Sequence, residues 1–243
     1  MEPAWILSAV VLAATVVQAS TGFGFSIIAT PFLVLLLDPK TGIQVNLCLS
    51  FVLSLTMLPI IWKDTERDIL KSMIPAALVA APVGGLLIAS ADDRLLYLLI
   101  GLVLVSAAVT TLKKIIIRPT LFRGISAGAA SGALTTALGM PGPPVLVYLA
   151  SVGCGAKATR ATALSFFVIV YAIAICAQVF LDQMRIESVG LAVAYVPAML
   201  VGAVAGHLLV ERINGSWFNR AIALILVASG LFLIANAAAP ELF

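Results

Sequence analysis

The sequence carries very little charge for its length. Only 10% of its 243 residues are Asp, Glu, Lys or Arg, against about 25% in a typical soluble domain. A soluble protein of this size needs more polar surface than these residues supply, so the composition excludes an ordinary soluble domain. The 14 basic residues are spread over short loops. That distribution gives no basic patch, and we expect no nucleic-acid partner.

Residues that support catalysis or metal binding are also scarce. The three cysteines show no C-x-x-C spacing, and the chain has one histidine. No Asp or Glu lies inside a long apolar run, which argues against proton coupling through a buried carboxylate. From these absences we expect no enzyme activity, no catalytic residues, no metal and no cofactor.

The sequence is rich in long apolar runs. Hydrophobic residues make up 62% of the chain, and every charged residue falls between two runs or at a terminus. Six of the eight uncharged runs have the length of one helix, because about 20 residues cross a ~30 Å hydrocarbon core. The pattern predicts an all-α polytopic membrane protein.

Two runs, 3–37 and 124–156, are too long for one helix and contain helix-breaking residues near the middle. The first break is Ser20-Thr21-Gly22-Phe23-Gly24, and the second is Gly139-Met140-Pro141-Gly142-Pro143-Pro144. Consecutive Gly and Pro disfavour helical backbone. We therefore predict that each run forms two shorter helices joined by a non-helical elbow.

The basic residues indicate how these pairs run. If each long run enters the membrane and returns, 11 of the 14 basic residues lie on one side. If each crosses once, the split is eight to six. Because basic loops stay in the cytoplasm, the first arrangement is favoured, with both termini outside. Full crossings and re-entrant hairpins have the same parity and stay open.

The two long runs each open one half of the chain. We assign a first transmembrane repeat to residues 1–118 and a second to 119–243. Leu49-Ser-Phe51 echoes Leu164-Ser-Phe166, and Pro75-Ala76 with Gly84 echoes Pro197-Ala198 with Gly206. Thr21-Gly22 echoes Ser131-Gly132. Five segments per half is an odd number, so the predicted fold is two inverted repeats, each opened by a broken or re-entrant helix pair.

The elbows are the predicted substrate site, because non-helical backbone at membrane depth survives only inside protein or beside a wet cavity. The second helix of each pair starts with unpaired N–H groups at the positive end of its dipole, which suits an anion. Uncharged polar and small residues surround the elbows. The candidate substrate-binding residues are Ser20, Thr21, Gly22, Gly24, Ser26, Asn46, Ser50, Ser131, Thr135, Thr136, Gly142, Pro143 and Ser165.

Lys157 and Arg160 are interpreted as positive-inside markers, or as residues that attract an anion to the cytoplasmic mouth.

Three stretches resemble the two halves of the TauE/SafE family. They are Thr21-Gly-Phe-Gly-Phe-Ser-x-x-x-Thr-Pro31, Leu49-Ser-Phe51 and Gly142-Pro-Pro-Val-Leu-Val-Tyr-Leu149. The family comprises sulfite exporters and carriers of related sulfur-containing anions. The resemblance implies transport of sulfite, thiosulfate or an organosulfonate across the bacterial inner membrane.

The sequence therefore predicts a multi-pass carrier in the bacterial inner membrane that moves a small anion by alternating access. Its expected partners are the lipid bilayer and the anion, and a homodimer is left open. Three alternatives also stay open. They are a carrier of neutral metabolites with the drug/metabolite-transporter plan, a membrane-embedded lipid-phosphate enzyme, and a non-transporting subunit of a larger complex.

Overall fold

The computed structural model describes residues 4–22, 24–113, 117–209 and 216–238, and within these ranges the regular structure is helical throughout. There are ten α-helices. They are α1 (Ala4–Thr21), α2 (Phe25–Leu36), α3 (Pro39–Ile61), α4 (Arg67–Ser90), α5 (Asp93–Lys113), α6 (Leu121–Leu138), α7 (Gly142–Val152), α8 (Ala156–Phe180), α9 (Ile186–Leu209) and α10 (Ser216–Ala238). A single 3₁₀ turn, Trp62–Asp64, follows α3.

Seven of the ten helices are long and apolar enough to cross a membrane. These are α1, α3, α4, α5, α8, α9 and α10, while α2 and α7 are shorter apolar helices. Large apolar side chains such as Val79 on α4 and Leu208 on α9 are 78% and 76% exposed. An apolar exterior of this kind fits lipid rather than water. The chain is a multi-pass membrane protein.

Both predicted interruptions are confirmed. α1 ends at Thr21 and α2 begins at Phe25, and α6 ends at Leu138 before α7 begins at Gly142. Gly22 has φ 89° and Gly139 has φ 70°. In this left-handed region glycine carries no steric penalty, whereas other residues do. The Phe23 position of the first break lies outside the described residues.

One end of the bundle carries most of the described basic residues, and we call it the basic end. Lys157, at the start of α8, forms an ion pair of 3.0 Å with Asp64 in the 3₁₀ turn. The Ile117 N–H, in the segment before α6, donates to Ser151 Oγ at the end of α7. The α3–α4, α5–α6 and α7–α8 junctions therefore meet at this end.

The opposite end, which we call the acidic end, gathers the other junctions. Arg185, before α9, pairs with Asp38, before α3, at 3.2 Å. Arg94 at the start of α5 donates to the Ala237 and Ala238 carbonyls at the end of α10. The α2–α3, α4–α5 and α8–α9 junctions share this end, as the sequence predicted. Lys114 and Arg212 of the predicted cytoplasmic set lie outside the described residues.

Close glycine contacts fix the directions of the first helix in each pair. A Cβ on Gly128 would overlap the Met73 backbone, and one on Gly132 would overlap Ala77, so α6 runs parallel to α4 toward the acidic end. A Cβ on Gly206 would lie 2.6 Å from the Val16 carbonyl oxygen, and α1 runs parallel to α9 toward the basic end. Small residues allow this close approach. The two first helices therefore run in opposite directions, α1 toward the basic end and α6 toward the acidic end.

Two of the three echoes in the sequence can be compared by their places in the fold. Gly84 and Gly206 occupy matching places, because each abuts a carbonyl of the neighbouring first helix, that of Ala133 and of Val16 respectively. Thr21-Gly22 and Ser131-Gly132 do not match, because the first pair ends α1 and the second lies within α6. The counterpart of Gly22 is Gly139, since each has positive φ at the end of a first helix.

Candidate functional site

The long helices α3 and α8 pack together at the centre and place four polar side chains in contact. Tyr171 on α8 interacts through its hydroxyl with Ser26, in the first turn of α2, and with Ser50 on α3. Ser50 Oγ donates to Asn46 Oδ1 at 3.4 Å, and Asn46 Nδ2 donates to the Gly139 carbonyl at 2.8 Å. We call Ser26, Asn46, Ser50 and Tyr171 the central cluster. It links the start of α2 to the second break.

The central cluster lies near the middle of the bundle. Ser50 is 11 residues from each end of α3 (Pro39–Ile61), or about 16 Å at 1.5 Å per residue. Asn46, Ser50 and Tyr171 are fully buried, and Ser26 is 5% exposed. Four buried polar groups in an apolar protein are costly unless they are hydrogen-bonded. In this conformation they satisfy one another and are closed off from both ends.

Gln18 holds the start of α2 beside the cluster. Its Oε1 accepts the Phe25 N–H at 3.0 Å, and its Nε2 donates to Ser54 Oγ at 3.5 Å. The N-cap residue Gly24 makes no side-chain cap, so Gln18 supplies one from the last turns of α1. Ser26 lies in the first turn of α2, at the positive end of the helix dipole, which favours a negative charge there.

The start of α7 is a poorer anion site than we expected. Pro143 and Pro144 occupy its first turn after Gly142. Proline has no N–H, so two of the donors that an unpaired first turn would offer are missing. The expectation of equivalent amide donors at both second helices therefore needs correction, and α2 is the stronger of the two.

The two breaks contact α8 at well-separated positions. Arg160 of α8 donates to the Ala19 carbonyl beside the first break. Gln178 of α8 donates to the Thr136 carbonyl beside the second, at 2.8 Å. The 18 residues between Arg160 and Gln178 span about 27 Å. α1 and α6 run in opposite directions and each nearly crosses the bundle before turning, so the breaks lie near opposite ends.

The predicted site residues of the first half form two groups, one at the first break near the basic end and one in the central cluster. The Ser20 hydroxyl donates to the Val16 and Gly206 carbonyls and ties α1 to α9. The Thr21 hydroxyl donates to the Val17 carbonyl. Gly22 and Gly24, with φ values of 89° and 123°, form the turn. Of the first-half candidates, Ser26, Asn46 and Ser50 meet in the cluster.

The predicted residues of the second half do not join the cluster. Ser131 Oγ is buried without a hydrogen-bond partner, and Thr135 and Thr136 donate to carbonyls one turn back, those of Ser131 and Gly132. Gly142 and Pro143 are buried where α7 begins. Ser165 Oγ lies 2.8 Å from Thr65 Oγ1 and holds the turn before α4 instead.

The two residues of the predicted mouth differ. The Lys157 side chain is 83% exposed and paired with Asp64, as expected of a surface charge. Arg160 is half-buried, and its Nε has no hydrogen-bond partner. Its stem lies over Gly22, where a Cβ would overlap Arg160 Cγ. Arg160 thus belongs to the wall of the first break.

Sequence reasoning missed Tyr171. A single tyrosine inside an apolar run has no periodic or motif signal, and the chain has four tyrosines. One signal existed, because the Leu-Ser-Phe echo pairs α8 with α3 and so makes the polar residues of both helices candidates for one centre. Tyr171 lies six residues after Ser165, less than two turns along α8.

Three cavities on the described surface lie away from the cluster. One of about 310 Å³ is apolar and lies between α4, α5 and α6. One of about 520 Å³ at the acidic end is lined by Lys40, Ala91, Asp92, Asp93, Arg94, Tyr97 and Asn236. The third, of about 350 Å³, adjoins it beside α10. In the described ranges, no three His, Cys, Asp or Glu side chains group together as metal ligands would.

A family model described as Sulfite exporter TauE/SafE matches residues 7–233 of the chain. The matched range touches all ten helices and both breaks. No curated protein matches the chain, and no solved structure matches it either.

Proposed function

The chain belongs to the sulfite exporter TauE/SafE family, and we propose that it carries a sulfur-containing oxyanion across the bacterial inner membrane by alternating access. Membership makes it a membrane transporter for sulfur-containing anions. Sulfite, thiosulfate and organosulfonates share a negatively charged oxygen face. The proposal assigns binding of that face to the central cluster and the start of α2, with the basic end in the cytoplasm and no enzymatic step.

The observation that carries the proposal is the meeting of Ser26, Ser50 and Tyr171 at the positive end of α2. An oxyanion at this point accepts hydrogen bonds from hydroxyls in place of the bonds they now make to one another. Hydrogen bonds to a charged acceptor are roughly twice as strong as neutral ones. The site therefore favours an anion over a neutral solute without a full positive charge in the membrane.

The packing of the helices supports two inverted halves. Exchanging α1–α5 with α6–α10 turns the α4–α6 contact into α9–α1, and the α3–α9 contact into α8–α4, and all four contacts are present. The α3–α8 and α5–α10 contacts map onto themselves. α1 and α6 also run in opposite directions. A pseudo-two-fold axis in the membrane plane relates repeats of this kind in carriers.

In this scheme each break acts as a gate, meaning the segment that closes the central cluster from one end of the bundle. The two breaks do not line one shared pocket. Ser20, Thr21, Gly22 and Gly24 belong to the gate at the basic end. Gly142 and Pro143, with Ser131, Thr135 and Thr136 on α6, belong to the gate at the acidic end. Movement at one break opens the central cluster to one side while the other stays closed.

The test is uptake of radiolabelled sulfite by the purified chain in proteoliposomes, with thiosulfate, an organosulfonate and a neutral metabolite as competitors. We expect competition by the anions and none by the neutral solute. Tyr171→Phe should lower sulfite transport about tenfold or more, since a hydrogen bond to a charged group contributes about 1.5–3 kcal/mol.

The matched control is Tyr97→Phe. That variant removes a hydroxyl on α5 which donates to the Val34 carbonyl near the end of α2, two turns beyond Ser26, and it should transport normally. Unchanged transport in a folded Tyr171→Phe variant would remove the central cluster from the mechanism. Stronger competition by a neutral solute would favour the neutral carrier, and phosphate release from a lipid phosphate would favour the enzyme.

A further inference from the structure

Each break is held by a side chain from the long helix of the other half. At the first break, Arg160 near the start of α8 donates to the Ala19 carbonyl and lies over Gly22. At the second, Asn46 in the second turn of α3 donates to the Gly139 carbonyl. A Cβ on Gly139 would lie 2.6 Å from Asn46 Nδ2. The two glycines with positive φ are thus covered by two polar side chains from matching helices.

The two side chains differ in charge. In the described part of the chain Arg160 forms no ion pair, and Asp64 at the same end of the bundle is bound to Lys157. Arg160 instead bonds a neutral carbonyl, and its Nε is left without a partner. Asn46 is neutral, and its Oδ1 accepts the Ser50 hydroxyl of the central cluster. Arg160 is thus a cation with no ion-pair partner in the described part of the chain. Asn46 is hydrogen-bonded to Ser50 of the proposed substrate site.

We propose that Arg160 and Asn46 are the latches of the two gates, and that the anion releases each of them by a different route. This inference rests on the proposed function. At the basic end, an oxyanion competes with the Ala19 carbonyl for the guanidinium and forms the stronger, charge-assisted bonds. The side chain then leaves Gly22, and the turn between α1 and α2 is free to move.

At the acidic end the anion acts through Ser50. When Ser50 donates to an anion in the central cluster, its hydroxyl hydrogen is no longer available to Asn46 Oδ1. Asn46 loses the contact that orients its amide toward Gly139, and the second latch weakens. A ligand shifts a conformational equilibrium only by its difference in affinity for the two states. Here that difference is the set of hydrogen bonds exchanged at each latch.

The experiment measures access to the centre from each side separately. In a background with Cys48→Ala, Cys154→Ala and Cys176→Ala, the reporter is Thr30→Cys, a fully buried position one turn beyond Ser26 on α2. A membrane-impermeant thiol reagent is applied to inside-out and right-side-out vesicles. Loss of a latch hydrogen bond of about 1.4 kcal/mol corresponds to about tenfold faster labelling.

Arg160→Gln should raise the rate of labelling from the basic end about tenfold and leave the rate from the acidic end unchanged. Asn46→Ala should raise the rate from the acidic end and leave the rate from the basic end unchanged. Sulfite should raise labelling from the basic end with Arg160 present and not in Arg160→Gln. Lys157→Gln is the matched control, because it removes a nearby cation that is exposed and already paired, and it should behave like the parent protein. Arg160→Lys keeps the positive charge but loses the planar guanidinium with its several N–H donors. Labelling from the basic end without sulfite should therefore rise, and sulfite should still increase it.

The inference fails if sulfite is transported but Arg160→Gln and Arg160→Lys, both folded by gel filtration, label at the parental rate. It also fails if both latch variants open the same side, or if Lys157→Gln loses the sulfite response equally. Absence of sulfite transport by the parent protein would instead overturn the proposed function.

Discussion

The two breaks look alike in the sequence and differ in the structure. Both end a first helix at a glycine with positive φ, Gly22 or Gly139. The first break is followed by a helix whose initial N–H is held by Gln18, and it lies under Arg160, which donates to the Ala19 carbonyl. The second is followed by a helix that starts with two prolines, and it lies under a neutral asparagine.

The proposed function assigns different roles to the two breaks on the basis of this difference. In the proposed mechanism the first break provides the positive helix end for the anion, because Ser26 in the first turn of α2 contacts Tyr171. The second lacks amide donors at that position and serves better as a rigid closure. Substitutions at matching positions should therefore have unequal effects, and the following experiments measure that inequality.

The largest effect is expected from a negative charge at the start of α2. Gln18→Glu keeps an oxygen that accepts the Phe25 N–H but places a carboxylate beside the proposed anion. At about 4 Å and an effective dielectric constant near 20, like charges repel by about 4 kcal/mol. Sulfite transport should fall at least about 100-fold in the proteoliposome assay.

Gln44→Glu serves as the control for this charge change. Gln44 is an equally buried glutamine on α3, where its Oε1 accepts bonds from the Arg185 N–H and the Ser188 hydroxyl at the acidic end. A carboxylate there lies outside the central cluster, so transport should stay within about threefold of the parent protein. Equal losses in the two variants would mean that the start of α2 has no special role.

A smaller effect is expected from alanine at the two turning glycines. Left-handed backbone costs a residue with a Cβ roughly 1–2 kcal/mol, so both Gly22→Ala and Gly139→Ala should lower the free energy of unfolding in detergent. Gly139→Ala should cost more, because its Cβ would also approach the Ile43 backbone oxygen at 3.2 Å. At Gly22 the neighbour is the flexible Arg160 side chain, which can move.

The double variant Gly22→Ala with Arg160→Ala separates these two contributions. Removing the arginine stem should recover the part of the loss due to overlap and leave the part due to backbone strain. If Gly22→Ala proves the more damaging of the two single variants, the first break is the rigid one, and the assignment of roles is reversed.

The smallest effect is expected at the acidic end, where Asp38 caps α3 and pairs with Arg185. Burial alone would raise the pKa of Asp38, but hydrogen bonds from Thr41 and the charge of Arg185 outweigh it and lower the pKa below its ordinary value. The charged form is thus favoured by folding. This stabilisation is present above about pH 4 and is lost as the pH falls through the lowered pKa.

Asp38→Asn should lower the unfolding midpoint at neutral pH by an amount worth less than about 1 kcal/mol, since the pair is half-exposed and such pairs contribute little. Below the lowered pKa of Asp38 the variant and the parent should converge. Asp182→Asn, which changes an exposed carboxylate nearby, should have no such pH dependence. A difference that persists at low pH would show that the effect comes from the cap geometry and not from the charge.

Much of the fold could be predicted because a membrane imposes simple rules. Charge cannot remain in the hydrocarbon core, so the breaks between spans were visible, and clustered Gly and Pro located both interruptions. Running directions followed from the basic loops. The depth of the two breaks in the bundle could not be predicted, because the sequence does not show how far α1 and α6 extend before the chain turns. Their glycine contacts with α9 and α4 carry both helices almost across the bundle.

Part of the central cluster could also be predicted from the sequence. Ser26, Asn46 and Ser50 were identifiable as polar residues near a break, and they do meet. Ser165 was chosen by its echo of Ser50, yet its hydroxyl contacts Thr65 in the turn before α4 instead. Tyr171 completes the cluster from a position that only the packing of α8 against α3 reveals.

The central claim is tested most directly by locating a bound anion. Selenite has the shape and charge of sulfite, and its selenium gives an anomalous diffraction signal. Crystals grown with selenite should show one anomalous peak within hydrogen-bond distance of the Ser26 and Tyr171 hydroxyls, at the start of α2. A peak confined to the cavity beside Lys40 and Arg94, with none in the central cluster, would contradict the account.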